Sequence, residues 1–550
     1  MTSAGVESVD IDTGINSLYL LLCTGLLPLV IIGIALFYSG LTQRRSAFTM
    51  LAIPVLISPI IVLDWYIWGY SLCYGTASNK YIGSLKYAVL RQLKHSIKET
   101  YTNTRGSVLL MNHFLFNMLF KVICAAFTFP GCIAERGRIL PMILFVFIWS
   151  AIIYNPVTYW FWNSNGWLYK MDVLDFAGGN CIHIVCGFTC LAYSYILGPR
   201  NPKALYNYRH SNTGYIVIGT FLLMCGWIGF IAGCEYKFSY NSIPIMVSTI
   251  LASSSAVIVW SAIDYTFSKE VLGIEEGIGA SAGDTTSDRS NRSTLAKPVM
   301  KRKISMISIT SGIVSGLVVV TPGGGYISSN NDLWKSIIFG VVGAALSNLS
   351  TRLKYYLNID DALDVFAIHG VAGIVGSLLT GIFADKLYDS QGGWVAGHWK
   401  QFGIQLLGLV VTGAYVFVMT VFFLYIIDFI PGCHLRIDKN FNRREREKKQ
   451  VKKRETKTEL ESQVSAIASE KLPDDRADYW EEVELLGSDN YEFSGEFLMD
   501  FIEFIKVIRP EDYAAEANEE ILLSNSESMG IYNSGNQYQQ AEGECTFRKH

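Results

Sequence analysis

The sequence predicts an all-α membrane protein that crosses the bilayer many times and ends in a polar tail. Eleven apolar stretches have about the 20 residues that a helix needs to span the hydrocarbon core. Only about 12% of residues 1–433 are charged, against about 25% in soluble domains. Residues 434–550, by contrast, carry 17 Lys and Arg and 26 Asp and Glu. These observations exclude a soluble globular fold for residues 1–433, and the lack of a basic domain argues against a nucleic-acid-binding protein.

The predicted spans fix an orientation. An odd number of spans puts the two termini on opposite sides of the membrane. If the N-terminus is outside, the inner loops hold 16 Lys and Arg, more than the outer segments, as the positive-inside rule requires. We therefore predict an outer N-terminus and a cytoplasmic C-terminus. The spans lie near residues 17–39, 49–73, 114–133, 139–160, 177–198, 214–234, 243–265, 304–326, 335–357, 363–384 and 402–430.

The same division predicts the domain organisation. Residues 1–16 form an extracellular N-terminus and residues 17–433 form the eleven-span domain. Within that domain, residues 266–303 are rich in Ser, Thr, Gly and Asp, which is typical of a disordered polar loop, here on the cytoplasmic side. Residues 434–550 form a partly disordered cytoplasmic tail with a regulatory role.

The tail has two distinct parts before its polar end. A basic run from Arg436 to Lys457 is typical either of a solvated face or of a helix near the anionic inner leaflet. Residues 479–508 are acidic but rich in aromatic side chains, so we expect them to dock onto a surface that is not specified by the sequence.

Two of the eight His lie well inside predicted spans, His183 in the fifth and His369 in the tenth. A polar group at that depth is costly without a partner, so a functional role is the default hypothesis. For these two histidines, a polar pore lining is favoured over a structural role in hydrogen bonding between helices. A metal site is disfavoured, because neither histidine has Cys, His or carboxylate residues at the spacing of a zinc site. Asp175 precedes His183 by eight residues and Asp364 precedes His369 by five, which hints at an internal repeat.

Aromatic residues cluster at the predicted outer ends of spans three and four. An interfacial aromatic belt explains most of them, and a cation site facing the rings is the sharper alternative. The aromatic residues are Phe114, Phe116, Phe120, Trp160, Trp162 and Trp167.

No nucleophile–base set and no phosphate-binding loop is recognisable in the sequence, so an enzyme is disfavoured.

Several strings, in family order across residues 18–430, resemble the ammonium transporter (Amt/Mep/Rh) family in its fungal methylammonium permease form. The resemblance implies eleven helices with pseudo-two-fold inverted repeats, a homotrimer in the plasma membrane, and ammonium or methylammonium as the partner, without cofactor or metal. The strings are FYSGLTQRRSAFTML (37–51), WGYSL (68–72), SNKYIG (78–83), IAERGR (133–138), WNSNGW (162–167), LDFAGGNCIHI (174–184), GWIGFIAG (226–233), GLVVVTPGGGY (316–326), DDALDVFAIHGVAGIVGSLLTGIFA (360–384) and ELLGSDNYEFSGEF (484–497).

The resemblance assigns roles at the outer end of the pore. Trp162 matches the vestibule Trp that meets the ammonium ion through its ring face. Phe116 and Phe120 match the paired gate phenylalanines, although the spacing to Glu135 is one residue longer than the family pattern. Asp175 matches the acidic residue at the pore mouth that aids ion recruitment or proton handling.

Deeper in the pore, His183 and His369 match the family's twin histidines. Three positions depart from the family pattern. Cys234 replaces the Ser that helps to bind the ion, Ile231 replaces an Asn, and Asp64 stands where fungal relatives tend to have Gln. The first two departures weaken the expected ion recruitment, because a thiol is a poor hydrogen-bonding group.

Two functions follow from these expectations. The first is a transporter that recruits the ammonium ion at Trp162, Asp175 and Cys234, removes its proton and conducts ammonia past the twin histidines. The alternative is an ammonium sensor that transports weakly and signals through its tail, in contact with cytoplasmic regulators.

Overall fold

The computed structural model describes residues 10–91, 100–205, 208–267, 271–274, 298–302, 304–329, 332–388, 390–444 and 475–493. Contacts group the chain into one unit of Met1–Leu205 with His210–Glu492, and a second of Tyr206–Arg209 with Phe493–His550. All the helices and strands given below belong to the first unit. Of the second unit, only three residues are described, and nothing further is built on them.

The described part of the chain is predominantly helical, as the sequence predicts. In the described part of the chain, ten helices are long and apolar enough to cross a membrane, and Met306–Val320 is a shorter apolar helix of 15 residues. The eleven spans and their orientation therefore stay predictions. The helices are α1 (Ile11–Leu41), α2 (Arg44–Tyr74), α3 (Leu110–Ile133), α4 (Ile139–Trp162), α5 (Gly179–Leu197), α6 (Thr213–Glu235), α7 (Ser242–Phe267), α8 (Met306–Val320), α9 (Trp334–Leu357), α10 (Phe366–Phe383), α11 (Lys400–Phe429), α12 (Asp475–Leu486) and α13 (Ser488–Glu492).

Helix α8 is shorter than its predicted span, because it ends at Val320 rather than near residue 326. Pro322 has no N–H for a helical hydrogen bond, and it restricts the residue before it. Three glycines follow, so the chain turns instead of continuing as a helix. The freed carbonyls are used elsewhere: Phe176 N donates to Pro322 O at 2.9 Å, just before α5 begins.

Two helix crossings involve glycines without space for a side chain. A Cβ on Gly33 of α1 would lie 2.7 Å from the Gly219 carbonyl oxygen of α6. A Cβ on Gly187 of α5 would lie 2.4 Å from the Gly370 Cα of α10. Small residues let membrane helices approach this closely.

The pattern of helix contacts repeats along the chain. Helix α3 contacts α1, α2 and α5, and helix α8 contacts α6, α7 and α10 in the same way. The predicted internal repeat would require this correspondence.

Two short antiparallel ribbons connect helices. Strand β1 (Thr100–Thr102) pairs with β2 (Ser107–Leu109) in the long loop before α3. Strand β3 (Val271–Ile274) pairs with β4 (Pro298–Lys301) within the predicted polar loop 266–303. The remainder of that loop, residues 275–297, lies outside the described residues.

The tail segment α12–α13 docks onto the helix bundle, as expected for the start of residues 479–508. Glu484 forms a buried ion pair with Arg436 at 2.5 Å. Asp489 accepts the backbone N–H of Thr49 in α2 at 2.7 Å, and Glu492 accepts that of Ile139 at the start of α4 at 2.7 Å. The carboxylate of Glu492 is favourable at the N-terminus of α4 because it meets an unpaired N–H group and the positive end of the dipole. Residues 1–9, 445–474 and 494–550, and the predictions made for them, lie outside the described residues.

Candidate functional site

A cavity of about 270 Å³ lies where α4, α5 and α6 meet the β1–β2 hairpin. Its wall contains four of the residues that the sequence assigns to the outer end of the pore, Phe120, Trp162, Asp175 and Cys234. The structure thus brings these four residues together around one cavity, which is called the vestibule below. The lining also includes Tyr101, Arg105, Phe176, Tyr236, Tyr326 and Tyr388.

Trp162 is held at the end of α4 by its indole nitrogen. The Nε1–H donates to the Asp175 carbonyl oxygen at 3.0 Å, which fixes the ring between α4 and the start of α5. The Phe120 ring lies 6.1 Å from it in an edge arrangement. Together the two rings give the vestibule an aromatic wall of the kind that attracts cations.

Phe116 lies beside Phe120, with ring centroids 4.6 Å apart. The ring that stacks face to face on Phe120 is, however, Phe230 of α6, at 4.2 Å and an interplanar angle of 2°. Sequence reasoning missed Phe230, although it lies within the GWIGFIAG string. All three side chains are buried.

Asp175 supports the N-terminus of α5 rather than presenting its carboxylate to the cavity. Its two carboxylate oxygens accept the backbone N–H groups of Gly178, Gly179, Asn180 and Cys181 at 2.7–3.3 Å. Burial raises the pKa of the Asp175 carboxyl, and the four N–H donors oppose that rise. The group facing Trp162 is the Asp175 carbonyl.

In the second half of the predicted repeat, the structural counterpart of Asp175 is Asp361. It is not Asp364, which the spacing to His369 in the sequence had suggested. Asp361 Oδ2 accepts the N–H of Phe366, five residues ahead, just as Asp175 Oδ2 accepts that of Asn180. Each of these aspartates precedes its histidine by eight residues. Asp364 instead pairs with Lys354 at 2.8 Å.

The twin histidines meet in the interior. The His183 and His369 Nδ1 atoms lie 3.2 Å apart, and both side chains are buried. The Trp227 ring stacks on His183 at 5.5 Å and 4°, and the Tyr38 hydroxyl lies 3.5 Å from His369 Nε2. His183 Nε2 has no hydrogen-bond partner among the described residues. Sequence reasoning missed Trp227 and Tyr38, whose only signal was their place in the family-like strings.

Both histidines lie in wide helical turns at the start of their helices. The turns are Gly179–Ile184 and Phe366–Val371, in which hydrogen bonds span five residues instead of four. Such turns are frequent at functional sites, because they rotate a side chain out of the regular helical register.

The departures from the family pattern have definite surroundings. The Cys234 thiol donates to the Phe230 carbonyl of its own helix at 3.4 Å, and Ile231 is fully buried. Asp64 forms a fully buried ion pair with Lys121, which also donates to Asn155 Oδ1 at 2.7 Å. Asp64 therefore has a partner of opposite charge that the sequence did not reveal.

Within the described ranges, no group of three or more His, Cys, Asp or Glu is arranged to hold a metal ion.

Comparison with known proteins identifies the family of this chain. A sequence model of the Ammonium Transporter Family matches residues 18–285 and 293–453. The chain is 34% identical over 454 residues to Ammonium transporter 1 of Schizosaccharomyces pombe, covering 80% of this chain and 83% of that protein. It is 31% identical to Ammonium transporter MEP3 of Saccharomyces cerevisiae, covering 76% and 79%. The crystal structure of Candida albicans Mep2 superposes with a TM-score of 0.66 at 30% identity, covering 78% and 86%. The chain therefore belongs to the ammonium transporter family and is a multi-pass membrane protein of the fungal Mep type.

Proposed function

We propose that this chain transports ammonium and methylammonium across a membrane. The observations that carry the proposal are an aromatic-walled vestibule, the stacked rings of Phe120 and Phe230 in and beside its wall, and the buried His183–His369 pair. The names of the fungal relatives point to the same substrate.

Recruitment begins at the vestibule. An ammonium ion that leaves water needs a replacement for its hydration shell. The face of Trp162 offers a cation–π contact, and the carbonyl oxygens of Asp175 and Cys234 lie in the same wall. The Cys234 thiol adds little, because it is a weak acceptor and already donates within its helix. The affinity for the ammonium ion therefore depends on the aromatic rings and the backbone carbonyl oxygens of the vestibule.

Passage then requires the ion to lose its proton. The rings of Phe116, Phe120 and Phe230 form an apolar barrier, and low dielectric surroundings favour neutral ammonia over the charged ion. Potassium has no proton to lose, so its hydration cost excludes it. Below the rings, His183 and His369 offer hydrogen-bonding nitrogens that accept ammonia or relay a proton.

We extend the proposal to the assembly and its location. The chain forms a homotrimer in the plasma membrane, with residues 1–16 outside and the tail inside. Residues 17–433 form the transporting domain without cofactor, and residues 434–550 form a regulatory tail that interacts with cytoplasmic regulators. The contacts of Asp489 with α2 and of Glu492 with α4 support a tail that senses the position of these helices.

A second candidate function is an ammonium sensor that transports weakly and signals through the tail. The attachment of α12–α13 to the bundle favours it, because a change in α2 or α4 would be felt directly by the tail. The loop 266–303 and the vestibule thiol of Cys234 support it further.

Methylammonium uptake tests both functions in cells that lack their own ammonium permeases. We expect uptake with the full chain, loss of uptake with His369→Ala, and normal uptake with His434→Ala, whose side chain is exposed. No uptake from protein present at the cell surface would overturn the transporter proposal in favour of the sensor.

A further inference from the structure

An arginine reaches into the vestibule from the outer loop. Arg105 lies in the turn between β1 and β2, and Asn103 shapes that turn by accepting the N–H groups of Arg105 and Gly106 at 2.8 and 3.1 Å. Gly106 packs so closely on Tyr236 that a Cβ would lie 2.6 Å from the Tyr236 carbonyl oxygen. The backbone at the tip of the hairpin is therefore fixed in place.

The hairpin is also fixed at its base. The N–H of Leu109 donates to the Ser17 hydroxyl at 2.9 Å, and the Asn16 side chain donates to the Ser107 carbonyl at 3.2 Å. On the other strand, the Tyr101 ring stacks on His113 at 3.6 Å. These contacts join the hairpin to α1 and α3, so the position of Arg105 is not that of a free surface side chain.

The guanidinium is held by the ligand types that an ammonium ion would use. Its Nη1 donates to the carbonyls of Phe176 at 2.7 Å and Cys234 at 3.3 Å. Its Nη2 donates to the Asp175 carbonyl at 3.2 Å, the same oxygen that accepts the Trp162 indole N–H. The Arg105 Cζ lies 4.6 Å from the centre of the Phe176 ring.

The charge of this guanidinium is not balanced locally by a salt bridge. Arginine remains protonated at all relevant pH values. Among the described residues, no carboxylate forms an ion pair with Arg105, and its partners are carbonyls, the Tyr326 hydroxyl and aromatic rings. A permanent cation therefore lies on neutral ligands inside a cavity that, under the proposed function, receives cations.

We propose that Arg105 is an affinity-determining residue of the vestibule: its guanidinium is a tethered cation that competes with the ammonium ion for the carbonyls of Asp175 and Cys234. This inference rests on the proposed function for its substrate. A substrate ion gains these ligands only when the guanidinium leaves them. The apparent affinity is then reduced by the fraction of time for which the site is vacated. If Arg105 occupies the site for about nine-tenths of the time, the half-saturation constant rises about tenfold.

The first test measures access to the vestibule without requiring transport. Cys234 lies in the cavity wall, so its thiol reports entry of a cationic, membrane-impermeant methanethiosulfonate bearing a trimethylammonium group. The full chain carrying Cys225→Ala is used, because Cys225 is the exposed cysteine among those described. The Cys234→Ala variant measures labelling at other sites, and this background is subtracted.

We expect Arg105→Gln to raise the labelling rate of Cys234 about tenfold. Asn103→Ala, which releases the turn but keeps the guanidinium, should raise it less. Arg91→Gln removes an exposed charge from the same loop and should leave the rate unchanged. Equal rates with and without Arg105, including no labelling of either form, would overturn the proposal, as would an equal rise with Arg91→Gln.

The second test measures methylammonium uptake by the same variants. Arg105→Gln should lower the half-saturation constant about tenfold without lowering the maximal rate. If no variant transports but Arg105→Gln still accelerates labelling, the vestibule inference stands and the transport proposal fails. If the chain transports methylammonium but Arg105→Gln changes neither the half-saturation constant nor the labelling rate, the vestibule inference fails and the transport proposal stands.

Discussion

The Nδ1 atoms of His183 and His369 lie 3.2 Å apart, although 186 residues separate them in the chain. At that distance one ring donates a hydrogen and the other accepts it, so the two tautomers are linked. We expect His183→Ala and His369→Ala each to lower methylammonium uptake at least tenfold, with the double variant no more than about twofold worse. Groups that act as a unit give non-additive losses. Multiplicative losses in the double variant, at matched surface expression, would show that the histidines act independently.

The vestibule thiol gives the second prediction. Replacing Cys234 by Ser puts a better hydrogen-bond acceptor at the same place in the wall. We expect Cys234→Ser to lower the half-saturation constant for methylammonium about two- to fivefold, measured from initial uptake rates. Cys225→Ser, at an exposed position of the same helix, should change nothing. A weaker apparent affinity in Cys234→Ser would mean that the side chain does not face the ion.

The tail attachment depends on the buried ion pair between Arg436 and Glu484. Glu484→Gln leaves the guanidinium buried without its charge partner, and breaking such a pair costs about 3–5 kcal/mol. We therefore expect α12–α13 to detach, and trypsin to cleave the tail markedly faster in the detergent-solubilised protein. The matched control is Lys203→Ala, because the Lys203 side chain is 69% exposed and its pair with Glu481 contributes little. Equal cleavage of the wild type and Glu484→Gln would show that other contacts hold the segment.

The crossing of α5 and α10 gives a stability prediction. A Cβ on Gly187 would lie 2.4 and 2.5 Å from backbone atoms of Gly370, which cannot rotate away. We expect Gly187→Ala to lower the thermal unfolding midpoint by several degrees, since overpacking costs about 1–3 kcal/mol. Gly403→Ala has open space around it and should be neutral or stabilising, because Ala favours helix. A Gly187→Ala midpoint equal to that of the wild type would show that the two helices separate easily.

Asp364 makes stability depend on pH. Burial raises the pKa of its carboxyl to about 6 from the usual 3.8, against the opposing effect of Lys354, and Asp361 and Arg200 also act on it. An acid with a raised pKa in the folded state destabilises that state once it ionises, so stability should increase as the pH falls from about 7.5 to 5. We expect a gain on the order of 1–2 kcal/mol over this range.

Thermal unfolding in detergent across this pH range measures the effect. Asp364→Asn should reduce the pH dependence, and asparagine tolerates the positive φ of 53° at this position. A pH profile of Asp364→Asn identical to that of the wild type would contradict the prediction.

The family resemblance anticipated much of the site. The predicted residues Phe120, Trp162, Asp175 and Cys234 all line one cavity. Their roles in transport stay predictions. The parts that sequence reasoning missed are contacts between helices. Phe230 is an ordinary apolar residue within a glycine-rich string, and nothing in its own neighbourhood marks it as the stacking partner of Phe120.

The sequence by itself determined the membrane class, the number of apolar stretches and their approximate limits. These are local properties, because a run of about 20 apolar residues is long enough to span the bilayer however the rest of the chain packs. Only the tertiary structure decided that Asp361 is the counterpart of Asp175, that Asp64 pairs with Lys121, and that Arg105 lies in the vestibule. Such pairings depend on how far helices slide and rotate against each other. That register is set by packing between segments distant in the chain, such as the close approach of Gly187 to Gly370, and not by composition or spacing.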